Sequence, residues 1–252
     1  MMKSLIITVA GMSSRFNRDL ESPVLKCLYH EDDAETALLY YQVASLYSSV
    51  EEIIIVGGFR FNDLEQFCKD QIPDPERKLH LVYNEHFANW GSGYSLIVGI
   101  QALSRSAEEV IFIEGDLFFD NDSIRQVILS RKDVVTINRE PIRSDRAVVL
   151  YEDVKGGIHY LYDVSHASLE IKELFCAVYN SGQIWKFRDP ARLSRIVASL
   201  PEKAMKGTNL EIVQRYFGNL NESEIEFVEI RNWFNCNTVS DYRQAIKVLK
   251  ES

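Results

Sequence analysis

The sequence has 252 residues, 46% hydrophobic and 26% charged, the make-up of an ordinary globular chain long enough to bury a substantial core. Its net charge of −9 argues against a nucleic-acid groove, which needs a basic face, and no stretch reaches the roughly 18 consecutive apolar residues of a membrane span. The four cysteines (Cys27, Cys68, Cys176, Cys236) show neither metal-type spacing nor a disulfide framework, so reduced thiols in a cytoplasmic protein are expected.

Residues 5–9 form an apolar run that reads as a first strand, too short for a signal segment. It opens into the loop Ala10-Gly11-Met12-Ser13-Ser14-Arg15. Residues 34–48 carry apolar side chains at helical spacing, and 52–56 form a β-branched strand stopped by Gly57-Gly58. A helix over 61–69, a strand over 79–83, a helix over 94–103 and a strand over 110–113 follow, the last ending at Glu114-Gly115-Asp116. Residues 123–129 and 134–137 repeat the alternation. The pattern predicts an α/β fold with a mostly parallel (mixed) central sheet and helices on both faces. From about residue 146 the texture changes. Residues 147–151, a Lys155-Gly156-Gly157 turn and residues 158–163 read as a β-hairpin. Helices are expected at 192–199, 209–216 and 241–250, with no repeat or linker between the halves.

Ligands of open α/β sheets bind at the carboxyl ends of the strands, which directs attention to the loops at 11–26, 84–95 and 114–122. The small residues Ala10 to Ser14 let backbone N–H groups approach an anion, and Arg15 can pair with phosphate oxygens through its forked guanidinium. Lys26 could add a second, compact charge. The spacing is neither that of a P-loop nor that of the dinucleotide fingerprint. The plainer reading is a strand-to-helix turn with solvated basic residues, and for Asp116 a turn or helix-capping role.

Taken together, the loops resemble the glycosyltransferase-A-like nucleotidyltransferases, whose signature is Ala-Gly-x-Gly/Ser-x-Arg followed by Pro-Lys. Five further segments match in order: Glu35 to Leu39, Ile53 to Phe59, Asn84 to Leu96, Glu114-Gly115-Asp116, and Asn237 to Tyr242. The similarity runs from Ser4 to about Ala245 and is nearest to the phosphocholine and 2-aminoethylphosphonate cytidylyltransferases. The resemblance implies a Rossmann-like nucleotidyltransferase domain over 1–252. Residues 1–140 would bind the nucleotide and 141–252 the acceptor, the hairpin covering the acceptor site. It implies transfer of CMP from CTP to a small phosphorylated or phosphonate acceptor, with Mg2+ as cofactor and pyrophosphate as leaving group. Arg15 and Lys26 would be the catalytic cations, and Ala10, Gly11, Met12, Ser13, Ser14, Asn84, Ser92 and Ser95 the nucleotide-binding residues. Asp116 and Asn237 would hold the metal.

Two departures bear on this. Leu25 stands where the family has proline before the lysine, with Pro23 two residues earlier. The second metal-binding aspartate falls on Asn237, whose amide brings no charge, with Asn235 as an alternative. For the acceptor, the aromatics Tyr160, Tyr162, Trp185 and Trp233 with the carboxylate of Asp163 would suit an ammonium head group; the plainer reading places them half-buried in a sheet. A sugar-1-phosphate nucleotidyltransferase and a non-catalytic nucleotide-binding protein are the alternative functions. Partners are limited to the small substrates and a second copy in a homodimer, with no nucleic acid and no membrane.

Overall fold

The computed structural model describes residues 2–144, 147–161 and 168–251. In chain order, the first half holds β1 (Lys3–Thr8), α1 (Leu38–Leu46), β2 (Glu52–Gly57), α2 (Phe61–Gln71), β3 (Leu79–Tyr83), α3 (Ser92–Gln101) and β4 (Glu109–Glu114). A two-residue β5 (Leu117–Phe118), α4 (Asn121–Leu129) and β6 (Asp133–Asn138) follow. The second half holds β7 (Val149–Asp153), β8 (Ile158–Leu161), β9 (Phe175–Phe187), α5 (Pro190–Ala198), α6 (Glu202–Met205) and α7 (Leu210–Phe217). It ends with β10 (Ile225–Glu229), β11 (Phe234–Asn235) and α8 (Val239–Glu251).

One sheet runs through both halves in the order β10-β6-β9-β4-β1-β2-β3, with β7 on β9 and β8 on β7. β1 pairs in parallel with β2 and β4, and β2 with β3; β9 inserts antiparallel between β4 and β6. The apolar runs of the first half follow from this topology, because strands covered on both faces need hydrophobic side chains in both directions. Leu5 and Ile7 of β1, Ile53 and Ile55 of β2, and Ile111 and Ile113 of β4 face one layer, packed with Leu39 and Val43 of α1 and Val127 of α4. Ile6, Ile54 and Phe112 face the other, packed with Leu96 and Ile97 of α3, Leu193 of α5 and Val213 of α7. The mixed sheet with helices on both faces is as expected.

The expected hairpin is present, formed by β7 and β8 in antiparallel register. Four strands were not anticipated: the two-residue β5 and β11, and the longer β9 and β10. β9 spans 13 residues, its first part pairing with β7 and its last with β4 and β6. Its register against β6 shifts at a bulge around Gly182 and Gln183, and Gln183 adopts a left-handed φ of 55°.

Candidate active site

A cavity of about 200 Å3 opens at the carboxyl ends of β1 and β4, walled by Ala10, Gly11, Ser13, Lys26, Asn84, Ser92, Ser95 and Asp116 together with Thr8, Leu25, Phe87, Trp90 and Glu114. Residues scattered over more than a hundred positions of sequence therefore meet where the fold class places ligands. Eight of the sequence-derived site residues line it. Met12, Ser14 and Arg15 do not; all three are exposed on the loop just beyond Ser13 and its neighbours.

Local backbone chemistry shapes the first wall. Phe59 N–H donates to the Ala10 carbonyl and Gly115 N–H to Thr8, so the loop leaves β1 between two neighbouring strands. Ser13 takes a left-handed φ of 55°, and its Oγ accepts from the Lys26 backbone N–H at 3.2 Å. The Asn17 side chain bonds both the N–H and the carbonyl of Val24, closing the intervening segment. These contacts fix the register that Leu25 leaves ambiguous in the sequence. Lys26 Nζ lies 2.7 Å from Asp116 Oδ2, both side chains about four-fifths buried.

Asp116 sits on a tight turn between β4 and β5. A Cβ on Gly115 would stand 2.2 Å from Val9 Cγ1 and 2.8 Å from the Thr8 carbonyl, so only glycine admits the turn this close to β1. The other carboxylate oxygen of Asp116, Oδ1, is buried and accepts no hydrogen bond within the described residues. The unpartnered carboxylate oxygen is a donor of the kind that a hard divalent cation such as Mg2+ takes, while Lys26 occupies the other oxygen. Glu114, two residues earlier, is a second acidic group in the cavity wall, and sequence reasoning gave it no separate role. Burial, reinforced by the nearby charge of Asp116, pushes its carboxyl up to about 7, against the opposing pull of Asn209 and Lys26. Asn209 Nδ2 donates to Glu114 Oε1 at 2.5 Å.

Asn237 comes beside this turn through the β5–β11 pair: Leu117 faces Asn235, and Cys236 N–H donates to the Asp116 carbonyl at 2.8 Å. Asn235 Oδ1 accepts from Asn237 Nδ2 at 2.7 Å, so of the two asparagines it is Asn235 whose oxygen is engaged. Neither lines the cavity. The rest of the Asn237-to-Tyr242 segment is helix-start chemistry, with Asp241 Oδ2 accepting from the Thr238 N–H and hydroxyl.

The opposite wall comes from the turn before α3. Asn84 is buried, its Nδ2 donating to Ser95 Oγ at 2.9 Å and its Oδ1 accepting from His86 N–H at 2.8 Å. Phe87 and Trp90 present aromatic surface; Trp90 stacks on His86 at 4.0 Å, and Lys206 Nζ lies 5.4 Å from its centroid. Both rings are features of the cavity wall that the sequence reading did not isolate. The start of α3 is not an open anion site, because the Gly91 and Gly93 N–H groups donate to the Lys206 and Gly207 carbonyls. A Cβ on Gly91 would lie 2.2 Å from the Gly207 oxygen, which accounts for that glycine.

The proposed acceptor residues separate. Trp185 is completely enclosed and stacks on Phe112 at 5.2 Å, and its indole N–H donates to the hydroxyl of Tyr160, itself only 6% exposed. Both are core residues, which corrects the expectation that they face an ammonium group. They were misread because an aromatic in a sheet strand carries no sequence mark of which face it occupies. Trp233 is half-buried, its Nε1 donating to the Gly182 carbonyl at 2.8 Å beside the β9 bulge. Tyr162 and Asp163 lie outside the described residues.

Asp153, His159 and Glu173 form a separate cluster with ligand-type atoms within 4.8 Å of one another, none of them in the cavity wall. His159 Nε2 meets Asp153 at 2.8 Å while Nδ1 faces Glu173 at 4.0 Å. The two carboxylates address different ring nitrogens, and one imidazole cannot offer both to a single ion. The arrangement is a polar clasp across the hairpin.

The fold recurs in known structures. The chain is similar to the inositol-1-phosphate CTP transferase of T. maritima, with 15% identity and a TM-score of 0.68 over 98% of this chain and 96% of the other. It is similar to the CTP:phosphocholine cytidylyltransferase of Streptococcus pneumoniae, with 16% identity and a TM-score of 0.64 over 99% and 100% of the two chains. It also resembles a Bacillus anthracis protein assigned as a glucose-1-phosphate thymidylyltransferase, with 14% identity and a TM-score of 0.72 over 99% and 96%. At these identities the likeness establishes a shared nucleotidyltransferase fold. A search of curated protein sequences returns no match. Residues 22–249, nearly the whole chain, match the family described as Domain of unknown function (DUF6564), and the protein belongs to that family.

Proposed function

We propose that the protein is a nucleotidyltransferase that transfers CMP from CTP to a small phosphorylated or phosphonate acceptor, such as phosphocholine or 2-aminoethylphosphonate, releasing pyrophosphate. The observation that carries this reading is the meeting of Lys26 and Asp116 at 2.7 Å in a cavity at the carboxyl end of the sheet. These are the residues that the family resemblance puts on the triphosphate and its metal, 90 positions apart in sequence. CTP as the donor is supported by the fold shared with two enzymes named for CTP.

In this mechanism an oxygen of the acceptor phosphate attacks the α-phosphorus, and the bond to the β-phosphate oxygen breaks as pyrophosphate departs. The attacking oxygen is already anionic at neutral pH, so no general base is needed. The protein's work is alignment and charge neutralisation. Asp116 would hold Mg2+, with Glu114 as the adjacent oxygen donor in the cavity wall; Asn237, outside that wall, would have to turn its amide oxygen inward to join them. When bound, the cation would neutralise phosphate charge. Lys26, released from its ion pair, would place its ammonium on the α-phosphate region. Phe87 and Trp90 provide faces for a base, and Ser92 and Ser95 hydroxyls for its edge. Arg15, exposed two residues beyond Ser13, is free to fold onto the β- and γ-phosphates. A pyrophosphate-release screen of four nucleoside triphosphates against a panel of acceptors tests the reading. Turnover with CTP and an amino-alcohol phosphate is expected, and no turnover with any pair would reject it.

One observation favours a second acceptor class. The burial of Tyr160 and Trp185 removes half of the aromatic set that an ammonium site would use. A sugar or polyol phosphate, held by hydrogen bonds to several hydroxyls, needs no such box. Competition between phosphocholine, 2-aminoethylphosphonate and glucose-1-phosphate on one preparation separates the classes.

A further inference from the structure

We propose that Gln42 of α1 is a positioning residue for the acidic turn at Glu114 to Leu117, setting the geometry with which Asp116 receives a divalent cation. The inference rests on the nucleotidyltransferase reading above and adds a residue that lies outside the cavity wall.

Gln42 is fully buried on a helix face otherwise made of Leu38, Leu39, Val43 and Leu46. A carboxamide there is costly unless its polar atoms are engaged, and a leucine or methionine would fill the same space. Its Nε2 donates to the Leu117 carbonyl at 2.7 Å and to the Glu114 carbonyl at 3.1 Å. Those two carbonyls bracket Gly115 and Asp116. The turn's other main-chain ties run from Gly115 N–H to Thr8 and from Cys236 N–H to the Asp116 carbonyl, while Lys26 and Asn209 reach only its carboxylates. Gln42 is therefore the side chain that holds both ends of the turn at once, and it does so from the helix layer. Its Oε1 is buried without a partner among the described residues. The amide is kept although one of its atoms is unsatisfied, which points to the two donated bonds as its purpose.

The turn has little freedom once these bonds are made. Gly115 is already in contact with β1, and the Asp116 carbonyl is already committed to Cys236. Removing the Gln42 donors would leave two inward-facing carbonyls to find new partners. The cheapest adjustment is rotation of the peptide units on either side of Asp116. That rotation would swing the carboxylate and loosen its pairing with Lys26. Residues that orient metal ligands typically change metal affinity by about 10- to 100-fold when mutated.

The test is Mn2+ binding to the full chain in the presence of CTP, followed by electron paramagnetic resonance, for wild type, Gln42→Met, Gln42→Leu and the same changes in an Asp116→Asn background. Thermal unfolding and circular dichroism accompany each variant. The expected result is Mn2+ affinity weaker by at least about tenfold in folded Gln42→Met or Gln42→Leu, and no further weakening when Asp116→Asn is already present. Unchanged Mn2+ affinity in a folded Gln42 variant would overturn the proposal, whatever its loss of stability. Equal weakening with and without Asp116 would overturn it as well, since Gln42 would then act through general packing. If wild type binds no Mn2+ with CTP, the nucleotidyltransferase reading itself fails and takes this one with it, an outcome separate from the other two.

Discussion

At the scale of single residues, function rests on a few buried charges and on what keeps them in place. Lys26→Ala removes the cation that faces Asp116 and should lower turnover by about 100-fold, roughly 2.7 kcal/mol of barrier, and should also lower the melting temperature of the metal-free protein, because Asp116 is left without its partner. Steady-state kinetics beside a thermal melt checks this. The loss should fall in kcat and not in KM if Lys26 acts on charge that develops during transfer. Gly115→Ala forces a methyl against the branched Val9 side chain at Cγ1 and against the Thr8 carbonyl, which is strand backbone and cannot yield. It should abolish activity while Lys26 and Asp116 are both still present, which activity and circular dichroism together would show. The thiols offer a simpler check. Burial raises the Cys27, Cys68 and Cys236 thiols well above their usual range, and Cys176 is exposed. A disulfide reagent should titrate one cysteine rapidly in the native protein and four in denaturant. Rapid labelling of Cys27 or Cys236, read by peptide mapping, would contradict the packing that frames the acidic turn.

At the scale of elements, the first half was legible because its strands are enclosed on both faces and therefore read as unbroken apolar runs, Leu5 to Ile7 and Ile53 to Val56 among them. The loops at the ends of those strands drew attention to Lys26, and the family resemblance to Asp116; the structure brings the two together. β9 was not legible. Its centre, Asn180-Ser181-Gly182-Gln183, has the composition of a turn, and the chain uses it as a bulge within a continuous strand. The left-handed Gln183 is tolerated because Ser181 Oγ accepts its N–H at 3.2 Å and neighbouring strands fix both sides. β10 was missed for a different reason: Ile225-Glu226-Phe227-Val228-Glu229 is short and carries two acids, as an edge strand commonly does. Phe87, Trp90 and Gln42 were missed because their roles depend on which way a helix or turn faces, and an aromatic or amide in an apolar stretch leaves that open. The hairpin clasp belongs to this scale too. Asp153 is held down at about 2, chiefly by His159 and then by the Gly157 and Lys155 N–H groups. Its contribution is present above the unfolded value near 3.8 and is lost as pH falls through about 2. Asp153→Asn should increase amide exchange in β7 and β8 at pH 6 and leave β1, β2 and β4 protected.

At the scale of the whole molecule, one sheet ties the two halves of the chain together, and β9, paired with β4, β6 and β7, is the strand that spans them. Lys186 of β9, completely buried, pairs with Glu109 of β4 at 2.9 Å and donates to the Ile128 and Ser130 carbonyls. Burial pulls its ammonium down while Glu109 holds it up. Lys186→Met should destabilise the protein by about 3 kcal/mol in urea titration, because it leaves Glu109 buried with Arg188 as its one remaining ion-pair partner among the described residues. Replacing Lys186 and Glu109 together by apolar residues should recover most of that loss. The cavity has a global signature as well. Glu114 holds its proton up to about pH 7 in the folded, metal-free chain and releases it near 4.5 when unfolded. The native state therefore binds more protons across that window, so stability falls as pH rises from about 4.5 to 7, and Glu114→Gln should flatten the slope. The central claim, that the cavity at Lys26 and Asp116 performs nucleotidyl transfer, is tested most directly by pyrophosphate release from CTP with a panel of phosphorylated acceptors, in wild type and in Asp116→Asn. The account predicts Mg2+-dependent release that requires an acceptor and falls at least about 100-fold in the variant. Release that is undiminished in folded Asp116→Asn, or absent from wild type with every nucleotide and acceptor, would contradict it.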